Sequence, residues 1–193
     1  SVFSETLYWT TRTFEANKKI QKKISLPFPL LPLGSSLVGL LMMLVSLLFL
    51  ISSLAYYIFI KDFNFIFGFL NFIIFLTSIL IVYFFALGIG FFTSILNAKY
   101  RDTKFTVRMV LSGIMYLTPV MYPIDKIPEA IHSIYFFINP LAAPVIACKY
   151  AITNNIENIP FNALIFSFII AIIFVIAGLY FYMKNIKNGL VIN

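Results

Sequence analysis

Residues 37–60 read LVGLLMMLVSLLFLISSLAYYIFI, a run without one formal charge. Wound as a helix rising about 1.5 Å per residue, a segment of roughly 20 residues crosses a hydrocarbon core about 30 Å thick. The run is the centre of a longer charge-free stretch, Ile24 to Ile60, and three others follow it: Phe63 to Ala98, Met109 to Ile124 and Asn158 to Met183. The whole chain has 193 residues, 61% apolar and 18% aromatic, with 11% charged. A soluble domain carries about 25% charged residues, and a core of this size cannot bury so much apolar surface. Composition excludes a soluble domain, a disordered tail and, with Cys148 as the one cysteine, a disulfide scaffold. The expected fold is all-α, a multi-span helical membrane protein in one transmembrane domain.

The net charge of +7 is distributed as short clusters at the ends of the apolar runs. Lys18, Lys19, Lys22 and Lys23 precede the first; Lys99, Arg101, Lys104 and Arg108 separate the second from the third; Lys184 and Lys187 follow the last. Such clusters set membrane orientation and do not track a phosphate backbone, so no nucleic acid partner is expected. Four spans are expected, at 37–60, 66–92, 107–122 and 161–183. They put 1–36, the loop after the second span and the tail 184–193 on one side, which, counting Arg108 with its neighbours, then holds 11 of the 14 Lys and Arg and reads as cytoplasmic. Residues 130–148 are also free of charge and, at 19 residues, long enough to be a fifth span. Pro140 and Pro144 are expected to break that segment, and His132 and Asn139 fit lipid poorly, so 123–160 reads as an outer region of short re-entrant helices. Residues 1–23 read as the cytoplasmic end of an earlier span, or as an amphipathic helix on the membrane with Trp9 at the interface.

Catalytic signatures are absent. The chain has no H-E-x-x-H, G-x-S-x-G or C-x-x-C, and His132 is its one histidine. Gly34 and Gly39 have the glycine spacing of a phosphate-binding loop, but Leu40 and Leu41 stand where lysine and a hydroxyl residue are needed. No catalytic, cofactor or metal residue is therefore assigned. Asp62, Asp102, Asp125, Glu129 and Glu157 lie between the spans, leaving no intramembrane carboxylate for ion coupling. One span does carry a polar stripe, Arg108, Ser112 and Tyr116 at i, i+4 and i+8. It reads as a packing seam or as the wall of a water-filled path.

Several segments together carry a resemblance. They are Asn97-Ala-Lys-Tyr-Arg-Asp102, Leu117-Thr-Pro-Val-Met-Tyr-Pro123, Ile127-Pro-Glu129 and Ile138-Asn-Pro-Leu141, after Lys22-Lys-Ile-Ser-Leu-Pro27, Leu31-Pro-Leu33 and Leu87-Gly-Ile-Gly-Phe-Phe-Thr-Ser-Ile-Leu-Asn97. In this order the chain resembles the membrane subunit of type-2 ATP-binding-cassette (ABC) exporters, in particular permeases for O-antigen, capsular polysaccharide or teichoic acid. Two departures stand out. The amphipathic helix and the two spans that open such subunits are almost wholly missing, so the chain resembles the last four of six spans. Phe28 is followed by Pro29, where the family more often has charged residues.

The resemblance implies a subunit of the bacterial cell membrane with a cytoplasmic C-terminus. It would pair with a second copy, as a homodimer, and with separate ATP-binding cassette subunits holding ATP and magnesium. Membrane lipids and a polysaccharide or lipid-linked glycan complete the expected partners. The resemblance makes 107–122 the helix that lines the path, with Arg108 near the cytoplasmic mouth to meet a lipid pyrophosphate, Tyr116 and Tyr122 against sugars, Ser112 in the polar stripe and Met115 as an adaptable apolar surface. It puts the ATPase-contacting segment in 1–23, with Glu15 and Asn17 as polar contacts and Lys18 and Lys19 near the headgroups. Alternatives from other classes are an exporter of small hydrophobic drugs or lipids, and a membrane enzyme acting on lipid-linked sugars.

Overall fold

The computed structural model describes residues 1–17, 29–61, 68–120, 122, 124, 128 and 131–187. Lys18, Lys19, the Lys22–Pro27 segment, Phe28, Asp62, Asp125, Glu129 and the end of the tail, 188–193, lie outside the described residues. Among the described residues eight α-helices follow one another: α1 (Val2–Thr11), α2 (Thr13–Ala16), α3 (Leu30–Lys61), α4 (Phe69–Lys99), α5 (Thr103–Leu117), α6 (His132–Ile138), α7 (Ala142–Ile152) and α8 (Phe161–Lys187), with a 3-10 turn at Ile156–Asn158. There is no strand among the described residues.

The helices exceed or fall short of the apolar runs because backbone chemistry, not hydropathy, sets their ends. α3 starts at Leu30, seven residues before the expected span, since Pro32 sits in the first turn, where its missing N–H costs nothing. α4 runs on past Phe92 to Lys99 and stops where Tyr100 turns extended. α5 begins earlier than expected and ends earlier. Thr118 is pushed to an extended backbone (φ −93°, ψ 141°) by the proline that follows it. At 15 residues α5 is about 22 Å long, short of a hydrocarbon core. Three described helices are long and apolar enough to cross a membrane, within Leu30–Tyr56, Phe69–Lys99 and Phe161–Ile186. By length and composition a fourth candidate is added if α6 and α7, bent by 112° at the break between them, are taken as one span. The break falls at Asn139–Pro140, as expected. Pro144 breaks nothing: it lies in the first turn of α7.

Small residues hold the helices together. α1 runs antiparallel to α3: Ser1 Oγ lies 2.8 Å from Ser46 Oγ at one end, and Thr13 Oγ1 lies 2.8 Å from Ser35 Oγ at the other. Between those pairs Gly39 lets the backbone of Thr6 approach. α1 runs parallel to α4, with Phe3 stacked on Phe85, Thr10 over Gly90, and Thr11 Oγ1 2.7 Å from Thr93 Oγ1. It therefore lies along the bundle and not flat across its end. α8 is parallel to α4 as well, through Phe85–Phe174, the facing Gly88 and Gly178, and Phe91–Tyr182. Lys99, Lys104 and Lys184 thus share one end of the bundle, its basic end. At the other end Asn71 of α4 donates to the carbonyl of Ala151 and to Asn154 Oδ1, fastening α7 there.

Candidate functional site

The turn Tyr100–Asp102 joins α4 to α5 at the basic end. Asn97 is buried, and its side-chain carbonyl accepts the backbone N–H of Lys104 at 3.2 Å. That satisfies one of the first-turn donors a helix leaves open and fixes the start of α5 against α4. Val107, Leu111 and Ile114 then turn inward, Val107 and Leu111 onto Leu7 and Ala86, Ile114 onto the cluster around Ile81 and Phe85.

The remaining face of α5 is exposed, and beyond Arg108, which packs on Tyr8, it is bare. Arg108, Ser112, Met115 and Tyr116 are exposed, Tyr116 to 72%, and nothing lies within contact of Gly113. Ser112 Oγ donates to the carbonyl of Arg108 at 3.2 Å, which leaves its acceptor lone pairs outward. The stripe read from the sequence is thus on one face; in the described residues Ser112 and Tyr116 are not in a seam between helices of this chain, while Arg108 packs on Tyr8 of α1. Tyr122 belongs elsewhere. Its hydroxyl lies at the end of α5, 3.2 Å from the carbonyl of Leu117 and 3.1 Å from the hydroxyl of Tyr135.

That carbonyl is the centre of a polar knot the sequence did not disclose. Tyr135 Oη donates to Leu117 O at 2.8 Å, and Asn139 Nδ2 donates to the same oxygen and to Thr118 Oγ1, each at 3.1 Å. Lys149 Nζ donates to the carbonyl of Pro119 and, at 3.3 Å, to that of Tyr122. Pro119 ends α5 with its last carbonyls unpaired, and side chains of α6, α7 and their junction take them up. A cation near the negative end of a helix is favourable in addition. Beside the knot, a cleft of about 610 Å³ lies between α6 and α8, lined by Ser133, Phe136, Phe137, Phe161, Asn162 and Phe166. No α5 residue lines it.

At the basic end, Glu15 of α2 receives Lys104 Nζ on both carboxylate oxygens, at 3.0 and 3.1 Å, and Arg12 Nε at 3.4 Å. Desolvation raises the Glu15 pKa, but the hydrogen bonds and charges of Lys104 and Arg12 outweigh it and hold the carboxyl below its ordinary value. Asn17 Nδ2 donates to the carbonyl of Thr13 at 2.9 Å and to Ser35 Oγ at 3.2 Å, tying the end of α2 to the start of α3. Of the four residues assigned to coupling, the two described ones are therefore engaged within the chain: Glu15 with α5, Asn17 with α3. Tyr8, which sequence reasoning left aside as a site residue, reaches Arg108, and Arg12 packs against the same Tyr8 ring. The Arg108 guanidinium carbon is 4.7 Å from the Tyr8 ring centre. Among the described residues no three His, Cys, Asp or Glu side chains gather as metal ligands.

Apolar spanning helices packed through glycine, with a bent helix pair closing one end, define a multi-pass integral membrane protein. The family described as ABC-2 type transporter matches residues 10–153, well over half of the chain. The chain belongs to that family. It is also similar to two proteins of Klebsiella pneumoniae that bear the same name, O-antigen export system permease protein RfbA. One is 27% identical over 172 residues, covering 89% of this chain and 63% of the relative; the other is 28% identical over 100 residues, covering 52% and 38%. The chain thus spans less than two thirds of the length of either relative.

Proposed function

We propose that this chain is the membrane-spanning permease subunit of an ATP-driven exporter that moves polysaccharide or a lipid-linked glycan, of the O-antigen, capsule or teichoic acid type, across the bacterial cell membrane. It acts with an ATP-binding cassette subunit, which supplies ATP and magnesium chemistry, and with a second copy of itself. The bare face of α5 carries the reading. A lipid-facing helix gains nothing from an arginine, a serine with free lone pairs and an outward tyrosine, and an arginine at depth is costly without water or a partner. Two such faces opposed across a dimer enclose a path with Arg108 at its mouth, and Ser112, Met115 and Tyr116 along it. Tyrosine rings offer sugars an apolar face and a hydroxyl. The names of the two relatives support glycan as the cargo.

In this reading the basic end is cytoplasmic, by the bias of Lys and Arg, and the C-terminus with it. Motion imposed on 1–23 by the ATPase passes to α5 through Glu15–Lys104 and to α3 through Asn17–Ser35, so the two ends of the stroke differ in the contacts of α5. The test is export per molecule. Tyr116→Ala and Ser112→Ala should each lower the amount of surface glycan several-fold at unchanged membrane abundance. Export that falls only in proportion to abundance overturns the path.

A further inference from the structure

We infer that the cleft between α6 and α8 binds neutral sugar units, at the end of the bundle opposite the basic one. Each of its two walls combines aromatic rings with one uncharged polar group. α6 contributes Ser133, Phe136 and Phe137, which at i, i+3 and i+4 share one face of that helix. The first turns of α8 contribute Asn162, Ala163 and Phe166. Ala163 leaves the space open, since its side chain ends at Cβ between the longer Asn162 and Phe166. The rings of Phe137 and Phe166 stack with centres 5.4 Å apart and planes at 26°, which ties one wall to the other. His132 stands T-shaped to Phe136 at 6.2 Å and sets that ring's orientation.

The chemistry of the lining selects the ligand. At about 610 Å³ the cleft has the size of a small-molecule site. No residue lining it carries a charge, so a phosphate or carboxylate brought into it finds no counter-ion. The Ser133 hydroxyl and the Asn162 carboxamide are exposed, and neither is hydrogen-bonded within the described residues. Phe137 stands beside them, 70% exposed. The cleft therefore offers a ring face that needs apolar cover next to a hydroxyl and an amide that need polar partners. A hydrocarbon tail answers only the first need. A sugar ring answers both, with its C–H face on the phenyl ring and its hydroxyls at the rim. The carboxamide can donate to one sugar hydroxyl and accept from the next.

Position points the same way. Tyr135, on the opposite face of α6, caps the last turn of α5. α6 thus has the end of the proposed path on one side and the cleft on the other, one helix further along the way out. The site rests on the exporter reading above and narrows its cargo to a glycan with neutral sugar faces, as against a polymer of phosphate-linked units.

The full chain in phosphatidylcholine nanodiscs, without the ATPase, is titrated calorimetrically with neutral pentasaccharides of glucose, mannose, galactose and rhamnose, and with a glycerol-phosphate pentamer. Saturable binding of at least one neutral pentasaccharide is expected, about tenfold weaker in Asn162→Ala, which loses a donor and an acceptor together. Ala163→Phe fills the cleft and should abolish binding. Thr153→Ala, which removes another exposed hydroxyl at this end, should leave it unchanged. Asn162 is exposed, so its variant keeps the fold even where the filled cleft does not, and unfolding midpoints check both. No binding of any neutral pentasaccharide, equal or tighter binding of the glycerol-phosphate pentamer, or binding indifferent to Asn162→Ala overturns the site. A phospholipid seen by native mass spectrometry on the wild type and lost in Ala163→Phe, with no sugar bound, makes the cleft a lipid groove and overturns it too. The exporter reading fails separately, on surface glycan in the Tyr116 and Ser112 variants, which leave the cleft intact.

Discussion

The hydroxyl of Tyr135 lies 2.8 Å from the carbonyl oxygen of Leu117 and donates to it, so a side chain of α6 caps the last turn of α5. Asn139 and Tyr122 donate to the same oxygen, at 3.1 and 3.2 Å. A carbonyl has two lone pairs, so three donors share them and no single one is indispensable. Lys149 is different, since among the described residues it alone reaches the carbonyl of Pro119.

The first prediction follows from that asymmetry. Tyr135→Phe should lower stability by about 1 kcal/mol or less, because Asn139 and Tyr122 remain on Leu117 O. Lys149→Met leaves the carbonyl of Pro119 without its donor and should cost about 1–3 kcal/mol. Thermal unfolding of the detergent-solubilised protein gives both values; an equal loss in the two variants would contradict the assignment. Lys149→Arg keeps a donor of similar reach and should recover part of the loss.

A second prediction contrasts two glycines of α3. A β-carbon at Gly39 would overlap Thr6 Oγ1 and stand 2.8 Å from the Thr6 backbone nitrogen, whereas one at Gly34 meets nothing within 4 Å. The obstacle at Gly39 is backbone, so α1 and α3 must separate. Gly39→Ala should destabilise by about 1–3 kcal/mol or more, the usual cost of overpacking. Gly34→Ala should be neutral or stabilise by up to about 1 kcal/mol, since alanine is the better helix former. The unfolding midpoints of the two variants, moving in opposite directions or by clearly different amounts, check the packing of α1.

The third prediction concerns pH. Glu15 is held below its ordinary carboxyl pKa of 4.5 by Lys104 and Arg12, despite its partial burial. A group whose folded pKa is depressed stabilises the fold above its unfolded pKa and loses that contribution as pH falls through the folded value. Wild-type protein should therefore exceed Glu15→Gln in stability at neutral pH, with the difference shrinking once pH drops below about 4.5. Unfolding of both proteins between neutral and acid pH measures it. A difference independent of pH would assign the effect to packing and not to the ion pair.

Much of this architecture is legible in the sequence, for physical reasons that also mark where legibility stops. Charge-free runs identify α3, α4 and α8, because crossing a hydrocarbon core demands length and apolarity that nothing else requires. The i, i+4, i+8 spacing puts Arg108, Ser112 and Tyr116 on one face, because helical periodicity is local. Pro119 and Pro140 mark the ends of α5 and α6, because proline constrains the residue before it. What the sequence withholds is which chain segments meet. Nothing local to Tyr8 announces Arg108, a hundred positions away, and nothing near Leu117 announces Tyr135, Asn139 or Lys149. Pro144 shows the reverse error: a helix breaker on paper, it is harmless in a first turn.

The last prediction concerns the number of crossings. α6 has 7 residues and α7 has 11, about 10 Å and 16 Å as helices. Even end to end and straight they barely match a hydrocarbon core, and they are bent by 112°. After Asn139 the chain turns back toward the side it came from: Asn139 Oδ1 accepts the backbone N–H of Leu141 at the break, Asn139 Nδ2 donates to the α5 carbonyl of Leu117, and Asn71 of α4 donates to the carbonyl of Ala151. Backbone irregular at that depth is tolerated where protein surrounds it, which the knot at Leu117 and the Asn71–Ala151 bond provide. The pair should therefore be re-entrant, with both of its ends on one face of the membrane. Cys148 is the one native cysteine, so Cys148→Ala gives a background for single cysteines at Ser133, in α6, and Asn155, beyond α7. Both should react with an impermeant maleimide applied from outside to spheroplasts, and both should be protected in inside-out vesicles. Labelling of Ser133→Cys and Asn155→Cys from opposite faces would make α6 and α7 one broken span, and would move α8 and the C-terminus to the other side.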